Sequence, residues 1–276
     1  MANWDSFDTS GNVEDRRGMT PSLIGGGGIV ALLLALGLNF LGLNVSPTDV
    51  QKAIDTVQVL QGGQADPNTQ PAEFKGEDSY EVFTKKVLGS TNATWDGIFA
   101  RTGQVYRQPK LVLFRQATQS GCGAAVTEVG PHFCPNDGTI YVDETFFDEL
   151  KNRFGAESGD VAQAYVIAHE VGHNVQAQLG AFDNGAPSNA HSVQIELQAD
   201  CYAGVWAYSV KSQGDFTSSD IDQALSAAAA VGDDHVQEVT TGRVDRESWT
   251  HGSSEQRKAA FVRGYESGKP DMCTDF

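Results

Sequence analysis

Two histidines four residues apart, His169 and His173, with Glu170 directly after the first, carry the clearest chemistry in this sequence. On a helix, residues four apart lie about 40° apart around the axis, so the two imidazoles project from one face and can share one metal ion. Zinc is commonly held by such nitrogens. Glu170 sits about 100° round from His169, outside the ligand pair but within reach of a water on the metal, where a general base is needed. The rival reading of these five residues alone is a polar helix face with two surface histidines.

A catalytic zinc takes three protein ligands and keeps one position open. The third is expected from a later periodic segment, AHSVQIELQADCYAGVWAYSV, in which Glu196 and Asp200 are again four apart. Glu196 would complete the ligand set from a second helix packed on the first. Asp200, one turn on, would hydrogen-bond the outer nitrogen of a ligand histidine and fix its tautomer. Both carboxylates stand among apolar neighbours (Ile195, Leu197, Ala199, Cys201, Tyr202), where a charge needs a partner.

The elements that must position these groups are legible around them. Val161, Ala164, Tyr165, Ala168, Gly172, Val175 and Leu179 repeat at helical spacing and should face a core. Gly172 costs about 1 kcal/mol against alanine inside a helix, so it should serve close packing. Ser158 or Asp160 is the expected cap. Upstream, Lys110 to Phe114, Gly123 to Val129 and Thr139 to Val142 read as short strands, and Tyr80 to Phe99 as helical core. Downstream, ALSAAAAV reads as a scaffold helix, and Ser253 with Gln256 has capping-box spacing for a last helix ending near Gly268.

The segments HEVGHNVQ, ELQADCYAGVW, AAAAVGDD, THGSSEQR and MCTDF, with NVEDRRG at residues 12–18 and FCPNDGTIYVDETFFDEL, together resemble the membrane-anchored bacterial neutral zinc metallopeptidases. The pairing of His-Glu-x-x-His with Glu-x-x-x-Asp is similar to that of thermolysin-like gluzincins. The resemblance thins at residues 46–76, and the chain departs from it at Asn174, where relatives often carry a further histidine. It implies a zincin-like α+β fold, mainly helical with a small β-sheet, behind one N-terminal transmembrane helix. An edge strand that pairs with an extended substrate is also implied, and Ala124 to Glu128 is our choice for it. It also makes His251 a candidate donor to the reaction's oxyanion or a substrate contact, against a structural hydrogen bond near the site, with a neighbouring tyrosine or Arg257 as the alternative donor. His132, His191 and His235 lack partners at ligand spacing and read as surface residues.

Net charge is −17 over 276 residues, which argues against nucleic acid or an anionic membrane face as a partner. Residues 1–22 are polar and read as a flexible cytoplasmic tail. Residues 23–45 carry no charge and read as a transmembrane helix. Arg16 and Arg17 before it, against Lys52 after it, keep the N-terminus inside and the catalytic domain outside the cell membrane. Residues 46–76 read as a linker, and residues 77–276 as the zinc metallopeptidase domain. The four cysteines suit an oxidising compartment, and of three possible pairings we favour Cys122 with Cys134 and Cys201 with Cys273.

The expected activity is hydrolysis of peptide bonds in a peptide or protein substrate, with zinc as cofactor and Glu170 as general base. A catalytically silent assembly factor of the same fold, and an amidase acting on cell-wall peptides, are the alternatives.

Overall fold

The computed structural model describes residues 2–18, 77–157, 159–183, 188–214 and 216–276. It is an α+β fold of seven α-helices, among the described residues, and a small sheet whose Leu111, Leu113, Ile140 and Val142 join the helical core. The predicted transmembrane helix at residues 23–45 and the linker at residues 46–76 lie outside the described residues. Among the described residues, no helix is long and apolar enough to cross a membrane.

Helix α1, Ser79–Arg101, starts where the Asp78 side chain accepts from the Glu81 backbone N–H at 2.8 Å, and it buries Val87, Leu88, Trp95 and Phe99. The sheet has the order β1-β2-β6-β5. Strands β1 (Val13–Asp15), β2 (Lys110–Phe114) and β6 (Thr139–Asp143) run parallel, with Val13 beside Leu111 and Leu111 beside Ile140. The two central strands are buried almost throughout, which suits the apolar run KLVLF and the shorter candidate Thr139 to Val142. Strand β5, His132–Cys134, is antiparallel to β6 and forms the sheet's other edge. Strands β3 (Ala117–Ser120) and β4 (Gly123–Val126) make a separate hairpin.

Helix α2, Thr145–Asn152, leads to α3, Asp160–Gln178, which carries the histidine pair and is buried on nearly every side. Helix α4, Asn189–Val210, packs beside it. Helices α5 (Ser218–Ala230), α6 (Asp233–Thr241) and α7 (Ser254–Ser267) complete the bundle. The capping box expected from Ser253 and Gln256 is present, and Gly268 ends α7 at φ 62°. Disulfides join Cys122 to Cys134 and Cys201 to Cys273, the favoured pairing.

Three expectations are corrected. Residues 2–18 are no flexible tail: β1 is a strand of the sheet, the Trp4 indole N–H donates to Asp160 Oδ2 at 2.6 Å, and the buried Arg17 guanidinium reaches Asp15, Asp78 and Glu144. A strand paired within a sheet lies on the same side of a bilayer as that sheet, which disagrees with a cytoplasmic tail ahead of an external domain. Secondly, the cap position of α3 is Gly159, which has no side chain to offer; Asp160 is the first helical residue, accepting the Val161 backbone N–H at 3.0 Å with one oxygen and the Trp4 indole N–H with the other. Thirdly, the segment chosen as the edge strand over the site, Ala124 to Glu128, lies in the β3–β4 hairpin and a following turn, whereas the strand against α3 is β5.

Candidate metal centre

α3 and α4 meet at Gly172, where an added Cβ would stand 3.1 Å from the Cα and carbonyl oxygen of Ala199. The missing side chain eases that approach, which carries Glu196 and Asp200 onto the histidine face. His169 Nε2 and His173 Nε2 are 3.1 Å apart. Glu196 closes the triangle, with Oε2 3.2 Å from His169 Nε2 and Oε1 3.5 Å from His173 Nε2. Ligand atoms placed tetrahedrally about 2.1 Å from a zinc ion are about 3.4 Å from one another, so the triangle has the size a zinc ion requires. Two imidazoles and one carboxylate are also a donor set that zinc accepts. The residues therefore fit the metal.

A Glu170 oxygen also lies within 4.8 Å of both ring nitrogens. Glu196 could serve as the third ligand, since its two oxygens face both Nε2 atoms, while the Glu170 carboxylate also engages the Phe133 backbone in β5. Burial pushes the Glu170 carboxyl up to about 7, with the charge of Glu196 adding to the rise and His169 opposing it.

Behind His169 lies a fully buried polar cluster. Asp200 has no exposed surface and accepts from His169 Nδ1 at 2.8 Å, from the Tyr165 hydroxyl at 2.5 Å, and from Arg257 Nε and Nη2 at 2.8 and 2.9 Å. A carboxylate can only accept, so a hydrogen sits on His169 Nδ1, and the ring in its neutral, metal-binding form carries its lone pair on Nε2, toward Glu196 and His173. Burial alone would raise the Asp200 carboxyl, but Arg257 and His169 outweigh it and hold it at about 2. Burial likewise disfavours a charge on His169, yet Asp200 and Glu196 lift it to about 10 without metal. For His173 burial prevails and lowers it to about 4.

His251 precedes α7, and its Nδ1 is 3.2 Å from Asp233 Oδ1. The other Asp233 oxygen accepts the backbone N–H groups of Thr250, His251 and Gly252 at 2.8, 2.6 and 2.9 Å, so one carboxylate holds both the loop and the ring. Burial opposes charge on His251, but Asp233 and Glu196 raise it overall. Arg257, the alternative oxyanion donor, is turned away from that role by its two bonds to Asp200.

The three histidines read as surface residues are each half-buried. His132 stacks on Tyr141, His235 Nε2 donates to the Phe154 carbonyl at 2.8 Å, and His191 lies in the first turns of α4. Sequence reasoning missed Asp233, Tyr165 as a polar partner, and Gln176, whose amide contacts His173 Nδ1 at 2.8 Å. It also missed Arg257's true place, for which a signal existed: Arg257, Ala260, Phe261 and Gly264 share the buried face of α7, and an arginine at core spacing demands a buried acid.

The sequence model of the family described as "Putative neutral zinc metallopeptidase" matches residues 2–276. The uncharacterized protein YpfJ of Escherichia coli is 40% identical over 292 residues, which span 99% of this chain and 98% of that one. The uncharacterized protein Rv2575 of Mycobacterium tuberculosis is 43% identical over 215 residues, 73% of each chain. No solved structure matches the chain.

Proposed function

The chain belongs to the neutral zinc metallopeptidase family, and from that premise we propose that it hydrolyses peptide bonds with His169, His173 and Glu196 as zinc ligands and Glu170 as general base. The observation that carries this reading is the triangle of two Nε2 atoms and one carboxylate, with sides of 3.1 to 3.5 Å, beside a buried glutamate. The chemistry that bound zinc supplies is Lewis acidity toward a water and toward the scissile carbonyl.

The remaining work falls to side chains. Glu170, raised toward neutrality by burial, is suited to take a proton from the attacking water and to return it to the leaving amine. Asp200, anchored by Arg257 and Tyr165, keeps His169 turned with its Nε2 forward. Asp233 accepts from His251 Nδ1 and favours the protonated ring, the form in which Nε2 would donate to the developing oxyanion. Strand β5 is the last strand of its sheet among the described residues, and its Phe133 backbone touches Glu170, so an extended peptide added to that edge would run past the base. This arrangement supports a zincin-like site. The two disulfides favour an oxidising compartment.

The test pairs zinc content of the purified protein with cleavage of unfolded casein, with and without a chelator. One zinc per chain and chelator-sensitive cleavage are expected. Glu170→Gln should keep the zinc and lower turnover by about 10²- to 10⁴-fold. Zinc without cleavage of any peptide substrate would remove the peptidase reading and leave a binding role, and a correctly folded protein without zinc affinity would overturn the site itself.

A further inference from the structure

Gln176 is as deeply buried as any residue in the fold, at 0% exposure, although it carries an amide with four hydrogen-bonding positions to satisfy. It stands three residues after His173 on α3, and every bond around it has only one possible direction. The main-chain oxygens of Ile195 and Cys273 can only accept. Gln198 Nε2 donates to the Cys273 oxygen at 2.8 Å, so Gln198 must turn its Oε1 toward Gln176. Gln176 Nε2 then donates to that Oε1 at 3.0 Å and to the Ile195 oxygen at 2.7 Å. Its own Oε1 is left facing His173 Nδ1 at 2.8 Å. An acceptor there requires hydrogen on Nδ1, and the neutral ring must carry its lone pair on Nε2, the atom that faces His169 and Glu196.

Reversing the Gln176 amide would set its oxygen against two other oxygens and forfeit two hydrogen bonds. Resting on the reading of His173 as a zinc ligand, we infer that Gln176 is the positioning residue that fixes the His173 tautomer, and that Gln198 fixes Gln176 from the C-terminal main chain. Cys273, whose carbonyl starts the chain of bonds, is tied to α4 by its disulfide to Cys201, which directly follows Asp200. The C-terminal segment therefore reaches the metal centre through two amides and no charge. His169 is set differently, by the buried Asp200 carboxylate.

The experiment uses the full chain and two substitutions of matched length, Gln176→Met and Gln198→Met. Zinc affinity is read by chelator competition, the His173 tautomer by long-range ¹H–¹⁵N spectra of the metal-free protein, and folding by thermal unfolding. Gln176→Met is expected to weaken zinc binding about 10- to 100-fold and to move His173 from the Nδ1–H form to a mixture. Gln198→Met should shift both readings less, and the double variant should be no worse than Gln176→Met, because Gln198 acts only through Gln176. Undiminished zinc affinity with an unchanged tautomer in Gln176→Met overturns the inference and leaves the zinc site standing. Wild-type protein that takes up no zinc at His173 sinks the underlying reading instead. Should Gln176→Met fail to fold, Gln198→Met carries the test, and an unchanged tautomer there overturns the inference.

Discussion

Asp200 shows how much of the site depends on groups that would never touch substrate. It is fully buried, charged, and shared among His169, Tyr165 and Arg257. Replacing it by Asn would leave the Arg257 guanidinium buried without its counter-charge, and breaking such pairs costs about 3–5 kcal/mol. Asp200→Asn should therefore lower the urea midpoint strongly and also weaken zinc about 10- to 100-fold, measured by chelator competition. His251 and Asp233 make a pH prediction. Asp233 faces His251 directly, with Glu196 and Arg257 also acting on the ring. The His251 value is raised in the fold, so its contribution is complete below the unfolded value of about 6.5 and fades as pH rises through the folded one. Asp233 is lowered, so its contribution is complete above about 3.9 and is lost as pH falls through its folded value. Stability of the metal-free protein, from urea unfolding across pH 4–9, should decline above about 6.5, and His251→Gln should make that slope shallower, the remainder belonging to His169, which is raised to about 10.

Among the elements, helix contact is set by missing side chains. Gly172 lets α3 lie on Ala199 of α4, while Gly204 and Gly264 let α4 and α7 touch backbone to backbone, at Phe261 and Cys201. At Gly172 an added Cβ meets atoms at 3.1 Å, a contact a small shift can relieve; at Gly264 it would overlap the Cys201 carbonyl outright. Gly264→Ala should thus cost about 1–3 kcal/mol or more in thermal or urea unfolding. Gly172→Ala should cost less stability but reduce zinc affinity, because it changes the separation of the helices that hold the two halves of the ligand triangle. The role of Gly172 was readable from its position in a helical stripe. That of Gly264 was not, since nothing in SEQRKAAFVRGYES says which helix lies across it.

For the whole molecule, the N-terminal segment alters the picture most. NVEDRRG contributes a strand, and Arg17 ties it to Asp78 at the start of α1 and Glu144 before α2. The chain on either side of residues 19–76 therefore belongs to one folded body. Arg17→Met should destabilise that body by up to about 3 kcal/mol, read by urea unfolding, since it strands carboxylates around a buried position. Reporters placed at the N-terminus and at the C-terminus should give the same compartment in topology assays; opposite compartments would contradict the β1–β2 pairing.

The sequence by itself determined what is local. Helical periodicity puts His169 and His173 one turn apart on one face, and the rings indeed stand edge to face at 4.7 Å. The same periodicity pairs Glu196 with Asp200, and the Ser253–Gln256 cap follows from three-residue spacing. An apolar run marked the central strand β2, and a shorter stretch between turn residues marked β6. Tertiary structure alone decided what depends on packing between distant segments. The pairing of a three-residue polar strand, VED, with the sheet leaves no pattern in so short a stretch, and was read as a tail. The choice of β5 over β4 as the strand against α3 depends on which edge the fold leaves open. The directions of the bonds through Asp200, Asp233 and Gln176 arise because burial removes water as a competing partner, so each donor must find the one acceptor that another element brings to it.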